Sequence, residues 1–309
     1  MTKTMKSDSI QIDRIKKERL GQQKYRLRNA NVLMAKNGVL FTDYLDPLQE
    51  IDPEISGKDL DEDTVTYIEK SLETNATRAE KEVAIVAQFL ALEGAKILDI
   101  GCGGGRFLSA VKAQGADVTG VELDDSRAYY ASQKYDFEVV KRPIESDYWN
   151  SRADKFDAVS LWVVIEHVNF PFATLHSSHK LLRAGGYLFT DTPCKDSFYH
   201  RVGQLTYAIS FGRFPTFLNI MYSDHPFGHK QILSTQEIRG LLESVGFEVV
   251  KIEKFHELSF PISYYLRKLT RSEFLTRLLT PMTTLAMKLL RIKNKMLVVA
   301  KKPDAPVQS

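Results

Sequence analysis

The sequence predicts an α/β fold in which the strands of a mostly parallel sheet alternate with helices. The first observation is an apolar run at residues 97–100, which is followed by glycine at four of the next five positions and then by a helical pattern from Phe107. The second is the stretch 156–165, a nearly continuous apolar run of the kind that a parallel sheet buries on both faces. With 43% hydrophobic residues among 309, the chain can fill a substantial core and carry additions to it.

The elements follow one another in the order that such a sheet requires. Thr77-Arg-Ala-Glu80 has the form of a capping box, which predicts a helix of about 15 residues leading into the first strand. Hydrophobic periodicity then predicts helices at 105–113, 126–135, 172–182 and 234–246, and further strands at 117–123, 137–141, 183–193, 247–254 and 295–301.

The glycine-rich turn after the first strand predicts a site for an anionic, nucleotide-like ligand. Glycines let a ligand lie against bare backbone, and the helix that follows presents unpaired N–H groups and the positive end of its dipole. A dinucleotide fingerprint G-x-G-x-x-G is excluded, because its third glycine would stand at Arg106 or Leu108. The pattern Asp99-x-Gly101-x-Gly103-x-Gly105 instead resembles the first motif of the class I S-adenosylmethionine (SAM) dependent methyltransferases.

This resemblance implies a Rossmann-like seven-stranded methyltransferase sheet with its last strand antiparallel, helices on both faces, and SAM as the cofactor. In that family the glycine turn lies against the methionine and ribose parts of SAM, while the acid contacts the amino acid part. The residues to which the resemblance gives a cofactor-binding role here are Asp99, Gly101, Cys102, Gly103 and Gly105.

Two further cofactor contacts are expected where the second and third strands end. Glu122 lies 21 residues beyond Gly101, so a parallel second strand would bring its carboxylate beside the ligand, where it can accept both ribose hydroxyls; Leu123 follows it. Many relatives carry an acid just past the third strand for the adenine amino group. This chain instead reads Lys-Arg-Pro-Ile-Glu there, which leaves backbone contact at Ile144 and the side chain of Glu145 as alternatives.

The fourth strand runs past Trp162, another expected cofactor contact, and ends in Glu-His-Val at 166–168. This run resembles the ubiquinone-biosynthesis O-methyltransferase branch of the family, some members of which bind a metal through an additional glutamate three residues before the run. Val163 stands at that position, so no metal site is predicted. His167 is a candidate base for a substrate hydroxyl, or it only forms a hydrogen bond with the loop.

The chain divides into five predicted segments. They are an N-terminal arm with an acidic linker (1–76), a SAM-binding core (77–193), an aromatic substrate cap (194–233), the end of the core with a basic helical insertion at about 261–294 (234–302), and a tail (303–309). The first 30 residues hold nine Lys or Arg against three acids and are interpreted as a polar arm, with helix as an option. The acidic stretch 43–63 is either a solvated linker or a flap over the active site.

The cap and the insertion each have two interpretations. Eight aromatic residues between 194 and 230 indicate either a substrate cap or a subdomain that packs on itself, and His229 in this segment is the second candidate base. Residues 261–302 carry ten Lys or Arg and one acid, Glu273, with leucines at helical spacing. Two helices separated at Thr280-Pro281 are expected to contact a membrane surface or to pack on the cap.

Composition restricts partners and compartment. The net charge of +3 is too weak to indicate nucleic acid, and the two cysteines, Cys102 and Cys194, make neither a disulfide framework nor a zinc site. Without an apolar signal core at the N-terminus or a run of about 18 apolar residues, a cytoplasmic protein is expected, with a peripheral position at the inner membrane surface as an option.

These observations predict an enzyme that transfers a methyl group from SAM to a small-molecule or lipid- or glycan-type acceptor, most simply on oxygen. The alternatives are a catalytically silent SAM-fold binding protein and an RNA methyltransferase, which would need an RNA-binding motif that the sequence does not display.

Overall fold

The computed structural model describes residues 21–28, 30–48, 51–58, 60–74, 76–258, 261–289 and 292–304. Most of the predicted N-terminal arm (1–20), Arg291 and residues 305–309 lie outside the described residues. The described residues form two compact units: the first lies within 1–45, 192–238 and 252–297, and the second within 46–191, 239–251 and 298–309.

The strands of the described residues form two sheets. They are β1 (Gly21–Arg26), β2 (Asn31–Ala35), β3 (Leu40–Thr42), β4 (Lys96–Ile100), β5 (Asp117–Val121), β6 (Glu138–Val140), β7 (Phe156–Trp162), β8 (Leu182–Pro193), β9 (Glu248–Phe255) and β10 (Lys295–Lys301). The first three pair antiparallel in the order β1-β2-β3. The other seven follow the order β6-β5-β4-β7-β8-β10-β9 with the last strand antiparallel, which confirms the predicted fold class.

Helices alternate with the strands of the large sheet. They are α1 (Glu62–Thr74), α2 (Ala76–Val86), α3 (Arg106–Lys112), α4 (Asp125–Lys134), α5 (Pro171–Leu181), α6 (Phe198–Ile209), α7 (Thr216–Met221), α8 (Thr235–Val245), α9 (Ile262–Thr270) and α10 (Glu273–Leu289). Among the described helices, none is both long enough and apolar enough to cross a bilayer.

The central strand β4 explains why one edge of the sheet carries the site. It pairs in parallel with β5 on one side and β7 on the other, and Ile97 and Leu98 are fully buried on its two faces. Leu108 and Val111 of α3 and Val86 of α2 belong to the core cluster around Ile97. Because parallel strands end at the same edge, the residues that follow β4, β5 and β7 meet there.

Residues 21–26 depart from the predicted polar arm, since they form β1. Tyr25 is buried and packs with Val32 and Leu40 of the small sheet and with Leu218 and Tyr222 of the cap. The strand was missed because only Tyr25 of its six residues is buried, so no apolar alternation marks it in the sequence.

The acidic stretch 43–63 is not simply a solvated linker. Ser56 Oγ donates to Asp125 Oδ2 over 2.8 Å, and the Gly57 N–H donates to the same atom over 3.0 Å, so this stretch is held at the start of α4. Lys141 Nζ contacts Asp125 Oδ1 at 2.6 Å and donates to the Glu54 carbonyl. Helix α1 begins at Glu62, inside the predicted linker, and the predicted helix at 77 spans only Ala76–Val86.

The predicted break at Thr280-Pro281 in the insertion is wrong. The chain turns at Arg271, whose φ of +53° ends α9, and Pro281 lies inside α10. An interior proline removes one helical N–H donor, here to the carbonyl of Arg277. Arg277 is exposed, so water can satisfy that carbonyl and the helix continues.

Candidate functional site

The glycine loop after β4 has the backbone that a ligand cradle requires. Gly101, Gly103 and Gly105 all have positive φ, at +73°, +56° and +82°. A Cβ on Gly101 would lie 2.6 Å from Val164 Cγ2, whereas a Cβ on Gly103 would meet nothing within 4 Å. Glycine is therefore sterically required at 101, while at 103 it leaves open space for a ligand.

Glu122 holds this loop through its carboxylate. Oε2 accepts the N–H of Gly103 at 2.8 Å, and Oε1 accepts the N–H groups of Leu123 and Asp124 at 2.9 Å. Burial raises the pKa of Glu122, and the N–H groups of Asp124 and Gly103 oppose that shift. The carboxylate lies beside the glycine loop, at the place predicted for the ribose contact.

Asp99 lies one strand away and is held from β7. Its Oδ1 accepts a hydrogen bond of 2.6 Å from Ser160 Oγ. Burial raises the pKa of Asp99 well above its ordinary value, and the nearby carboxylates of Glu82 and Glu122 raise it further. Cys102 is buried next to the two acids, which raises the pKa of its thiol well above the ordinary value, so this side chain is a poor nucleophile.

An ion-pair cluster on α2 was missed at the sequence level. Arg78 Nε contacts Glu82 Oε1 at 2.7 Å, and its Nη2 contacts both carboxylate oxygens of Asp191 at 2.8 and 3.0 Å. Asp191 stands near the carboxyl end of β8, and an acid at the end of a strand is a sequence signal from which it could have been identified as a site residue. Its partner in α2 could not be identified, because 113 residues separate the two.

The turn after β7 is strained and lies against the glycine loop. Val163 has φ +55°, an unusual conformation for a β-branched residue, and its N–H is shared between the carbonyl and Oδ1 of Asp191, both at 3.0 Å. The next residue, Val164, faces Gly101. His167 belongs to this turn, since its N–H donates to the Val164 carbonyl at 2.8 Å, and its Nε2 is 3.9 Å from Glu166 Oε1.

A pocket of about 230 Å³ lies between these groups. It is lined by the glycine loop, Asp99, Trp162, Arg78 and Glu82, and by Tyr67 and neighbouring residues of α1, which the sequence analysis had not assigned to the site. Within the described residues, the indole N–H of Trp162 is buried without an acceptor. Glycine backbone, carboxylates, a guanidinium and the open N–H donor of Trp162 together fit a zwitterionic amino acid joined to a ribose, as in SAM.

The other predicted contacts have different surroundings. A Cβ on Gly105 would lie 2.8 Å from Phe137 Cζ, so this glycine also serves packing. Ile144 is buried, and Leu123 is half-buried beside Glu122. The carboxyl group of Glu145 accepts a hydrogen bond from Thr174 Oγ1 of α5, and burial raises its pKa. The adenine contact through Ile144 stays a prediction.

The cap residues belong to the first unit. His229 Nδ1 lies 3.2 Å from the Met221 carbonyl, and its role as a base stays a prediction. Tyr207 packs edge-on against Tyr25 with 5.0 Å between ring centroids, and Tyr222 is fully buried, whereas Phe211 is 94% exposed. Phe211 therefore lies outside the packing that buries Tyr222, and the aromatic substrate cap stays a prediction.

Comparison with known proteins places this geometry in context. A family model described as "Methyltransferase domain" matches residues 72–252. The ubiquinone biosynthesis O-methyltransferase of Alkalilimnicola ehrlichii is 35% identical over 112 residues, which is 35% of this chain and 45% of the relative. The enzyme of the same name from Xanthomonas campestris is 36% identical over 114 residues, 35% of this chain and 46% of the relative. The chain thus spans less than half the length of these curated relatives.

Solved structures share the fold at low sequence identity. A Listeria monocytogenes protein, provisionally assigned as a SAM-dependent methyltransferase, matches with a TM-score of 0.50 at 15% identity over 74% of this chain and 100% of its own. A Galdieria sulphuraria protein, provisionally assigned as a sarcosine dimethylglycine methyltransferase, has a TM-score of 0.50 at 11% identity over 74% of this chain and 86% of its own.

Replacing Arg78 tests the ion-pair cluster. Arg78→Gln leaves two largely buried carboxylates without their common cation, so we expect the free energy of unfolding to fall by about 3 kcal/mol. Arg183→Gln is the control, because the Arg183–Asp157 pair is far more exposed and should contribute under about 1 kcal/mol. Urea titration of both variants measures the difference, and equal losses would contradict this role of Arg78.

Asp99 generates a prediction on pH dependence. Burial raises the pKa of Asp99 above its value in the unfolded chain, so the native state holds the proton more tightly. As pH rises above the pKa of the unfolded chain, Asp99 therefore lowers the stability of the fold. Asp99→Asn should therefore gain stability relative to wild type as pH rises above about 4, the pKa of an aspartate in the unfolded chain, as followed by thermal unfolding. Asp61→Asn should show the opposite trend, since the N–H of Thr64 lowers the pKa of Asp61.

Proposed function

The chain belongs to the methyltransferase domain family, and we propose that it transfers a methyl group from SAM to an oxygen atom of a small-molecule acceptor. SAM is the cofactor of this family. The observation that carries the proposal is the fixing of the glycine loop by Glu122 beside a pocket that also holds Asp99, Arg78 and Trp162.

The residues of the pocket suit the parts of SAM in turn. Glu122 retains lone pairs beyond its three backbone hydrogen bonds and would accept from the ribose hydroxyls. Asp99 would hold the ammonium group of the amino acid part. The open N–H of Trp162 and the guanidinium of Arg78 are donors for its carboxylate, which a cationic, partly desolvated donor stabilises most.

The chain itself has to align the acceptor and receive a proton. When bound, SAM supplies an electrophilic methyl group on a sulfonium sulfur and is released as S-adenosylhomocysteine. Alignment of the acceptor oxygen with that methyl group is the main requirement for such a displacement. The proton of the acceptor hydroxyl would pass to His167, which belongs to the turn after β7, with His229 as the second candidate.

Two observations support an acceptor that is a lipid-linked small molecule methylated on oxygen. Both relatives described above carry the name O-methyltransferase, which favours oxygen as the acceptor atom. Their name refers to ubiquinone, and the apolar side chains that α6, α9 and α10 expose would suit an acceptor with a hydrocarbon part. A lipid-linked small molecule is therefore favoured over a glycan.

Gly103 provides the sharpest test of cofactor binding. Gly103→Val places a β-branched side chain in open space of the pocket at a positive φ, so S-adenosylhomocysteine should bind at least about a hundredfold more weakly in calorimetric titration. Gly94→Val is the matched control: its φ is +73°, it also has nothing within 4 Å, and it does not line the pocket. Absence of binding by the wild type would remove the proposed function.

Replacing Glu122 tests methyl transfer together with cofactor binding. Glu122→Gln should weaken S-adenosylhomocysteine binding at least about tenfold, because an amide offers only one accepting oxygen to the ribose and the backbone donors. Transfer of labelled methyl groups from SAM to the organic-soluble fraction of a lipid extract should fall with it. Glu138→Gln is the control and should leave both measurements unchanged, since Arg152 holds that carboxyl group and it does not line the pocket.

The same assay separates the rival functions. A wild-type protein that binds S-adenosylhomocysteine but transfers no label to lipid, aqueous metabolites or RNA would be a silent SAM-fold binding protein. Label found in ribonuclease-sensitive material would instead identify an RNA methyltransferase.

A further inference from the structure

Helix α10 is amphipathic, but its apolar side faces outward. The side chains that share its exposed face are Phe274, Leu278, Met282, Leu285 and Leu289. Phe274 and Leu289 are 74% and 73% exposed, whereas Thr276 on the opposite face is 2% exposed. A surface helix normally buries its apolar stripe against the core, so this orientation is the reverse of the usual one.

The inward face of α10 carries threonines, and it can pack against the protein because their hydroxyl groups are hydrogen-bonded. Thr276 Oγ1 donates to the Ser272 carbonyl and Thr280 Oγ1 donates to the Thr276 carbonyl, both over 2.7 Å. These bonds satisfy the hydroxyls within the helix itself. On the same side Met287 is buried, and its sulfur accepts from Tyr199 of α6 at 3.3 Å. The inward face is thus occupied, and the apolar stripe is left for a different partner.

Other elements of the first unit also expose large hydrophobic side chains. Tyr264 and Leu269 are exposed on α9, which packs against α10, and Leu205 and Ile209 are exposed on α6. Of the large hydrophobic side chains that are exposed in the described part of the chain, all but Tyr67, Tyr148 and Val250 belong to the first unit. Concentration in one unit distinguishes this surface from the scattered exposure that is normal for soluble proteins.

Cations border the stripe. Arg277 and Lys288 are eleven residues apart, which places them in one row along the edge of the apolar face, and Lys268 and Arg271 extend the positive charge onto α9 and its end. Glu273 is the single acid of α9 and α10; it pairs with Arg267 at 2.7 Å and with Arg277 at 3.5 Å. The surface keeps a clear positive excess after these pairs are counted.

We propose that α9, α10 and the exposed face of α6 dock on the surface of an anionic lipid bilayer. The apolar stripe would lie at the boundary of headgroups and acyl chains, and the flanking Lys and Arg would meet the lipid phosphates. A second copy of the chain would set two positive surfaces face to face, which charge repulsion disfavours. The further consequence, that the methyl acceptor is drawn from the bilayer, rests on the proposed function.

Flotation of the full chain with lipid vesicles tests the docking. Vesicles of equal parts phosphatidylcholine and phosphatidylglycerol should bind the protein, and pure phosphatidylcholine should bind it much more weakly. Raising salt from about 0.05 M to about 0.5 M should weaken the first interaction steeply, because exposed charges are screened. A residual affinity should persist, because salt does not remove apolar burial.

Two triple variants separate the charge from the apolar stripe. Lys268→Gln, Arg277→Gln and Lys288→Gln together should weaken binding to the anionic vesicles up to roughly a hundredfold, at about fivefold for each cation. Leu278→Ser, Met282→Ser and Leu285→Ser should weaken it at least about tenfold and should remove the affinity that persists at high salt.

Matched controls use exposed residues outside this surface. Val250→Ser on β9 and Arg239→Gln on α8 should bind vesicles like the wild type. Circular dichroism confirms that each variant is folded. Every variant should keep its affinity for S-adenosylhomocysteine, because none of the changed residues lines the SAM pocket.

Three outcomes would overturn the docking proposal. They are no binding to anionic vesicles at low salt, equal binding by the wild type and both triple variants, and a concentration-dependent dimer in sedimentation that the serine variant abolishes. Vesicle binding by a protein that fails to bind S-adenosylhomocysteine would leave the docking intact and reject the proposed function, so the two failures are distinguishable.

Discussion

The ligand-binding edge of this protein depends on the buried carboxylate of Glu122. A carboxylate taken out of water is stable only when other groups replace its hydration, and here three backbone N–H groups do so. One of them belongs to Gly103, 19 residues earlier in the chain. The bond therefore closes the glycine loop onto the end of β5 and sets the position of the remaining lone pairs. One interaction thus sets both the shape of the loop and the place of the proposed ribose contact.

Asp191 has a comparable role beside Arg78, which lines the pocket. It accepts from Arg78 of α2 and from the N–H of Val163, so one carboxylate joins a helix to the turn after β7. A β-branched residue at positive φ costs free energy and persists only where its surroundings hold it. Both acids stand at carboxyl ends of strands, which a parallel sheet gathers at one edge. The pocket is accordingly organised by anions that backbone and side-chain donors hold in place.

The two units present different chemistry. In the second unit, carboxylates and glycines form a polar pocket that residues of α1 also line. This helix was not predicted from the sequence, because it begins inside the acidic stretch 43–63. In the first unit, β1 to β3 pack with α7 around Tyr25 and Tyr222, and the apolar faces of α6, α9 and α10 remain exposed. The proposed binding of SAM rests on the second unit, and the proposed docking on a bilayer rests on the first.

The sequence alone determined the features that depend on neighbouring residues. The strand, glycine turn and helix at 96–112, the acid that ends the second strand, and the capping box at Ser234 and Glu237 are all local patterns, and the structure contains each of them. Only the tertiary structure decided the pairing of Arg78 with Asp191, the strand at 21–26 and the outward direction of the apolar stripe on α10. Periodicity shows that a helix has two faces, but which face meets the protein depends on contacts between residues far apart in the chain.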